Sequence, residues 1–210
     1  MLTTLVASSK GGCGKTTLVT QLATHWVQSG KQTAIIDADR QHSSLRWAGR
    51  RPENVPAVTA IEGSRKAFDR LPGDVQRVIV DTPAGVDEKD LEPYLEKVDV
   101  ILVPVLPSHF DLDATLDFLT VLRGIPRVKR GKLPVGLVGN RLKPWTSASQ
   151  AAIAELGERA PFPVVAELRD SQAYVLLTAL GKGIFDYHSE NVRGHQDDWG
   201  KLLRWIKRST

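Results

Sequence analysis

The residues most able to do chemistry in this chain stand together near its start, as Lys10-Gly11-Gly12-Cys13-Gly14-Lys15-Thr16-Thr17. Glycines let a backbone curl until successive N–H groups point inward, and a helix beginning directly afterwards adds its partial positive charge. Such a loop is a cradle for phosphate. In it Lys15 is placed to bridge β- and γ-phosphates, Thr16 to give its hydroxyl to Mg²⁺, and Thr17 to bond the α-phosphate. Glycine-rich strand–helix turns without nucleotide exist, but Gly14-Lys15-Thr16-Thr17 between an apolar run and a helical pattern singles out a phosphate loop. Cys13 occupies a position that tolerates many residues and receives no chemical role.

Two carboxylates complete a hydrolytic set. Val78-Ile79-Val80-Asp81-Thr82-Pro83 is an apolar strand ending in Asp81, the placement that holds Mg²⁺ through water. Ile35-Ile36-Asp37-Ala38-Asp39 ends another strand in the same way, and its second carboxylate, Asp39, is placed to orient an attacking water. An aspartate at a strand end is often only a helix cap. Two of them on consecutive buried strands after a phosphate loop make a constellation, with ATP and Mg²⁺ as the expected cofactors.

The elements that must position these groups are legible as alternating patterns. Leu2–Ser8, Thr33–Asp37, Val78–Asp81, Val100–Pro104 and Val135–Asn140 read as buried strands rich in Val, Ile and Leu. Thr16–Ser29, Ser43–Arg51, Lys89–Lys97, Leu112–Arg123 and Ser147–Arg159 read as helices. Strands alternating with helices imply crossovers and an α/β fold: a single doubly wound parallel sheet flanked by helices, binding ligands at the carboxyl ends of its strands. No internal repeat, low-complexity tract or linker divides the chain, so residues 1–210 are expected to form one domain.

Composition narrows the class. The chain is 41% hydrophobic and 25% charged, ordinary for a globular protein. Cys13 is the only cysteine, which excludes an internal disulfide and any cysteine-ligated cluster within one chain. No signal-like leader and no run of about 18 apolar residues is present, so a cytoplasmic protein is expected. The net charge of +4 is unevenly spread. No acidic residue falls between Phe118 and Ala154, whereas Arg123, Arg127, Lys129, Arg130, Lys132, Arg141 and Lys143 do. The last helical pattern carries Lys201, Arg204, Lys207 and Arg208 with no acid after Asp198. Clustering of this kind fits a polyanionic partner or ordinary solvated surface.

With Lys10 opening the loop, the segment resembles the deviant Walker A motif of the ParA/MinD ATPases. Asp37-Ala38-Asp39-Arg40-Gln41 resembles their Walker A′ motif, with Arg40 where proline is usual. Asp81-Thr82-Pro83-Ala84-Gly85 resembles their Walker B, and Val103-Pro104-Val105-Leu106-Pro107-Ser108 the strand and loop after it. The second half is similar more loosely, through Val138-Gly139-Asn140-Arg141 and Gly181-Lys182-Gly183-Ile184-Phe185-Asp186. The resemblance implies a P-loop ATPase that closes into a homodimer around ATP, with Lys10 reaching phosphates bound by the other subunit as an arginine finger would. It places Asn140 against the adenine ring.

Within the family the chain is similar to short ParA-type proteins, whose first strand opens the domain as Leu2–Ser8 does here. That likeness implies no operator-specific domain, non-specific binding to nucleoid DNA by the ATP-bound dimer, and release when a ParB-type adaptor stimulates hydrolysis. Arg193, Lys201, Arg204, Lys207 and Arg208 are the candidate DNA contacts, with Arg169 and Lys182 beside them. The cargo so positioned would be a plasmid, a chromosomal locus or a protein assembly such as a carboxysome.

Two other classes share the fold. A MinD-like membrane binder needs an interfacial helix, and Trp199, Leu202, Leu203 and Ile206, with Trp205 beside them and basic residues opposite, have that spacing. The same pattern fits a last helix docked on the core, the commoner case. An ATP-dependent ligase or synthase of the cobyrinate or dethiobiotin type is disfavoured by Lys10 and the compact length. A two-cysteine iron-protein reductase is excluded by the single cysteine.

Overall fold

The computed structural model describes the backbone of residues 1–210 and every side chain except those of His109, Phe110 and Asp111. The apolar runs form strands: β1 (Leu2–Ser8), β2 (Thr33–Asp37), β3 (Thr59–Glu62), β4 (Arg77–Ala84), β5 (Val100–Val105), β6 (Val135–Leu142) and β7 (Val164–Arg169). They lie side by side in the order β3-β2-β4-β1-β5-β6-β7, and each neighbouring pair is parallel. From β1 the chain travels outward to β2 and β3, returns to β4, then crosses to β5 on the other side of β1. The strand order therefore reverses at β1, where an open α/β sheet leaves a crevice for ligand.

Successive side chains on a strand face opposite ways, so each central strand feeds two cores. Leu5, Ile36, Val80, Ile101 and Val103 enter one core, under α3 (Glu88–Leu95), α4 (His109–Gly124), α5 (Pro126–Lys129) and α6 (Ser147–Arg159). Val6, Ile35, Ile79, Leu102 and Val138 enter the other, under α1 (Lys15–Gln28), α2 (Ser43–Gly49), α7 (Gln172–Ala179) and α8 (Glu190–Ser209). This is the doubly wound architecture expected from the alternation of strands and helices.

The sequence patterns locate the five central strands and leave out the two edges, β3 and β7. No residue of β3 is buried and only Ala166 and Leu168 of β7 are, so Thr59-Ala60-Ile61-Glu62 and Val164-Val165-Ala166-Glu167-Leu168-Arg169 mix polar with apolar positions instead of forming a continuous run.

The last helix docks on the core. Trp199, Leu202 and Ile206 are fully buried, while Lys201, Arg204, Lys207 and Arg208 are exposed on the opposite side. Trp199 donates its ring N–H to the Tyr174 hydroxyl at 3.0 Å. Trp205 packs against β6 where Gly136 has no side chain; a Cβ there would come within 2.7 Å of the indole. The apolar stripe that fits an interfacial helix is thus spent on the protein's own sheet. Among the described residues no helix is long and apolar enough to cross a membrane.

A buried ion pair joins distant segments. Asp186, in a 3-10 turn at Ile184–Asp186, accepts from Arg51 Nη1 and Nη2 at 3.1 and 3.0 Å, from Gln28 Nε2 at 2.9 Å and from the Gly183 N–H at 2.8 Å. Arg51 follows α2 and also donates to the carbonyls of Pro56 and Gly181. With all these groups satisfied, the pair locks α2 and α1 to the segment that leads into α8.

Truncation of a fully buried tryptophan leaves a large cavity. Trp199→Ala is expected to lower unfolding stability by about 3–5 kcal/mol, and Arg208→Ala to change it by less than about 0.5 kcal/mol. Urea denaturation of both variants checks this; equal, small effects would mean that α8 is not docked.

Candidate nucleotide site

The glycine-rich turn leaves β1 at Ser8 and enters α1 at Lys15. Gly12 has φ +80° and Gly14 φ +92°, left-handed values that a side chain disfavours. Gly14 is the residue before α1 and makes no side-chain cap, so the first N–H groups of the helix face the cleft. The loop is held from within. Lys15 Nζ donates to Ser8 Oγ at 3.0 Å and to the Lys10 carbonyl at 3.4 Å, and Ser8 Oγ donates to that carbonyl at 2.8 Å. The buried Cys13 thiol joins the same cluster, 3.0 Å from Ser8 Oγ. Nothing in the sequence marks Ser8 or Cys13 for this part, because any small side chain ending the strand would satisfy the motif.

In β4, which runs on past the expected end at Asp81 to Ala84, Asp81 is fully buried next to β1. Its Oδ2 accepts from Thr16 Oγ1 at 3.0 Å, while Oδ1 is buried with no hydrogen-bond partner. Burial first, and the neighbouring Asp37 carboxylate second, push the Asp81 carboxyl up to about 7 against the opposing hydroxyls of Thr16 and Ser44 and the charge of Lys15. A hydroxyl and an orphaned carboxylate oxygen, both hard donors, fit the inner or water-mediated shell of Mg²⁺. Among the described residues no group of three or more His, Cys, Asp or Glu could hold a metal by itself. A cation here therefore depends on phosphate and water oxygens as well.

The two carboxylates of the second motif have different jobs. Asp37 is fully buried and accepts backbone N–H bonds from Asp39 at 3.1 Å and from Leu45 at 2.8 Å. It thereby caps α2 from a distance, in place of His42, which precedes the helix at φ +47° without capping it. Asp39 is half-buried, accepts from the Gln41 N–H at 2.9 Å and faces the phosphate loop across a cleft of about 580 Å³. Gly12, Gly14, Lys15, Thr16 and Thr17 line one wall of that cleft and Asp39, Arg40 and Gln41 another. Arg40, in the usual proline's position, and Arg141, at φ +54°, add two cations to the lining that the motif alone does not announce.

Two further expected residues are not among those lining this cleft. Lys10 is not part of the lining of its own chain's cleft; its carbonyl belongs to the cluster beneath the loop. Asn140, at the end of β6, is buried and donates its amide to the Cys13 carbonyl at 2.7 Å. A second cleft of about 600 Å³ borders β7, but its one arginine, Arg169, is held by Asp198 at 2.5 and 2.7 Å. Of the DNA candidates, Arg193 stands near the start of α8, 3.8 Å from Glu190, and Lys201, Arg204, Lys207 and Arg208 continue along the exposed side to its end. Lys182 lies over the Tyr187 ring at 5.2 Å.

A strand, a glycine turn and a helix opening in Lys15-Thr16, beside a strand ending in Asp81, define the P-loop nucleotide-binding class. The chain belongs to the CobQ/CobB/MinD/ParA nucleotide-binding domain family, whose model matches residues 4–183. It is 31% identical over 163 residues to the maintenance of carboxysome distribution protein A of Halothiobacillus neapolitanus, covering 74% of each chain. Its fold is similar to that of a Cyanothece McdA in complex with ATP, with a TM-score of 0.71, 17% identity and coverage of 100% of this chain and 96% of that one. It is also similar to the septum site-determining protein MinD of Pyrococcus horikoshii in complex with Mg-ADP, with a TM-score of 0.70, 16% identity and coverage of 100% and 98%.

The raised Asp81 carboxyl makes the ligand-free protein sensitive to pH. The unfolded chain ionises Asp81 near its ordinary value of 3.8, whereas the folded chain holds the proton until about 7. Folding is therefore increasingly penalised as pH rises between those values, by at most about 4 kcal/mol above the upper one. Asp81→Asn is expected to raise the ligand-free melting temperature by several degrees at pH 8 and by much less at pH 5. It should also abolish the extra stabilisation that Mg²⁺ confers on the ATP-bound protein. Melting curves at both pH values decide it, and an equal gain at both would show that the carboxyl ionises freely in the fold.

Proposed function

We propose that this chain is a ParA-type ATPase whose ATP-bound form pairs into a dimer, binds DNA without sequence preference and lets go after hydrolysis, positioning a cargo. The observation that carries the reading is the cleft itself: a phosphate loop with Lys15 and Thr16 on one wall, Asp39 on the facing wall, and the orphaned Asp81 oxygen behind Thr16.

In this reading the N–H groups of the loop and of the first turn of α1 hold the phosphates, and Lys15 exchanges its bonds to Ser8 and the Lys10 carbonyl for β- and γ-phosphate oxygens. Thr16 and Asp81 would hold Mg²⁺, which when bound would supply positive charge against the phosphates. Asp39 orients the water that attacks the γ-phosphorus as the bond to the bridging oxygen breaks, giving ADP and phosphate. Lys10, which is not among the residues lining its own cleft, supplies its ammonium to the cleft of the partner copy. Dimerisation would set the basic side of α8 in duplicate, which matters because affinity for DNA climbs steeply with the number of phosphates neutralised. The cargo is a DNA locus or a protein assembly, linked through an adaptor that stimulates hydrolysis; the likeness to carboxysome-distribution proteins supports a protein assembly. Such a protein works in the cytoplasm on the nucleoid.

Two substitutions separate the roles. Asp39→Asn should keep Mg·ATP affinity within about threefold while turnover falls by at least about a hundredfold, as expected when a water-orienting group is lost; calorimetry beside a phosphate-release assay measures both. Lys10→Ala should bind ATP almost normally yet fail to dimerise and fail to retard DNA at physiological salt, read by light scattering and mobility shift with ATP. A Lys10→Ala protein that still dimerises and still retards DNA would refute the cross-subunit mechanism.

A further inference from the structure

Asn140 reaches the phosphate loop from β6, with β5 lying between that strand and β1. Its Nδ2 donates to the Cys13 carbonyl at 2.7 Å, both groups buried. The same amide fills the space beside Gly14: a Cβ on Gly14 would stand 2.2 Å from Nδ2. The Asn140 amide therefore requires glycine at position 14, beyond the demand that the Gly14 φ of +92° already makes.

The peptide linking Cys13 to Gly14 is planar and trans, since no cis bond occurs among the described residues, so its C=O and N–H point in opposite directions. An amide that pins the Cys13 oxygen on the β6 side turns the Gly14 N–H the other way. Gly14 lines the nucleotide cleft. We propose that Asn140 is a positioning residue that aims the Gly14 N–H at bound phosphate, so that the affinity of the loop for any polyphosphate, with or without a base, depends on this one bond. The inference rests on the phosphate-loop reading and assigns Asn140 a part in it that owes nothing to adenine.

The single cysteine makes the bond directly observable. Carbonyl-¹³C cysteine labels one position, the Cys13 oxygen's own carbon, and loss of a donated hydrogen bond moves that resonance upfield. Asn140→Ala and Asn140→Leu both remove the donor, the second without leaving a cavity, so either one that folds serves. In each the labelled resonance should move, and affinity for Mg·ATP and for Mg·tripolyphosphate should fall together by about tenfold, the scale of one buried hydrogen bond. Lys15→Ala should abolish binding of both ligands while leaving the resonance in place. Loss of ATP affinity with tripolyphosphate unchanged would overturn the proposal and leave Asn140 a base contact. An unmoved resonance would overturn it too. If the wild type binds neither ligand, the phosphate-loop reading fails, and the resonance still reports whether the bond exists.

Discussion

A carboxylate held out of water at the centre of the sheet is the constraint on which the rest of this structure turns. Asp81 lies in β4 beside the phosphate loop, with one oxygen bonded to Thr16, the other without a partner, and the Asp37 carboxylate nearby. An apolar surrounding makes the ionised form expensive, and a second carboxylate makes it more so. Protonation relieves the conflict, and so does a cation brought to that spot. Lys15, at the start of α1, offsets it only in part, its ammonium being bonded to Ser8 and the Lys10 carbonyl. The strain is thus arranged so that a divalent ion and its phosphates complete the site, which ties ligand binding to the stability of the fold.

The surrounding elements keep that arrangement in register. Asp37 spends both oxygens on backbone N–H groups, one at Asp39 and one inside α2, so the loop carrying Asp39 is anchored at both ends. Further along, Arg51 leaves α2 to meet Asp186, which also holds Gln28 at the end of α1. The helix that starts at the phosphate loop and the helix that follows Asp39 are therefore fastened to the same buried carboxylate. A shift of one is resisted by the other, and this is how a loop containing Arg40 instead of proline keeps Asp39 facing the phosphate wall.

The basic last helix illustrates how one pattern can serve two physical ends. Its apolar stripe and its charged side have the spacing of an interfacial helix, and a lipid surface would accept it. The sheet accepts it first. Trp199, Leu202 and Ile206 are fully buried, and Trp205 covers the bare backbone at Gly136. What remains outside is a row of Lys and Arg along the length of the domain.

Local chemistry decided much of this before any chain folding was considered. Gly11-Gly12-Cys13-Gly14-Lys15-Thr16-Thr17 needs only its neighbours in sequence to form a phosphate loop, and continuous Val, Ile and Leu runs need only burial on both faces to be central strands. Those features, with Asp39 and Asp81 at strand ends, were legible in the sequence. The edge strands β3 and β7 were not, because a half-exposed strand mixes polar and apolar residues and leaves no unbroken run. Nor were the parts played by Ser8, Asp37 and Asn140. Ser8 and Asp37 bond groups only two to eight positions away, through loop geometry that residue types do not announce, and Asn140 bonds one 127 positions away. Sequence settles what a segment can form with itself; the burial of Asp81, the docking of α8 and the bond from Asn140 to Cys13 exist only once distant segments share an interior that excludes water.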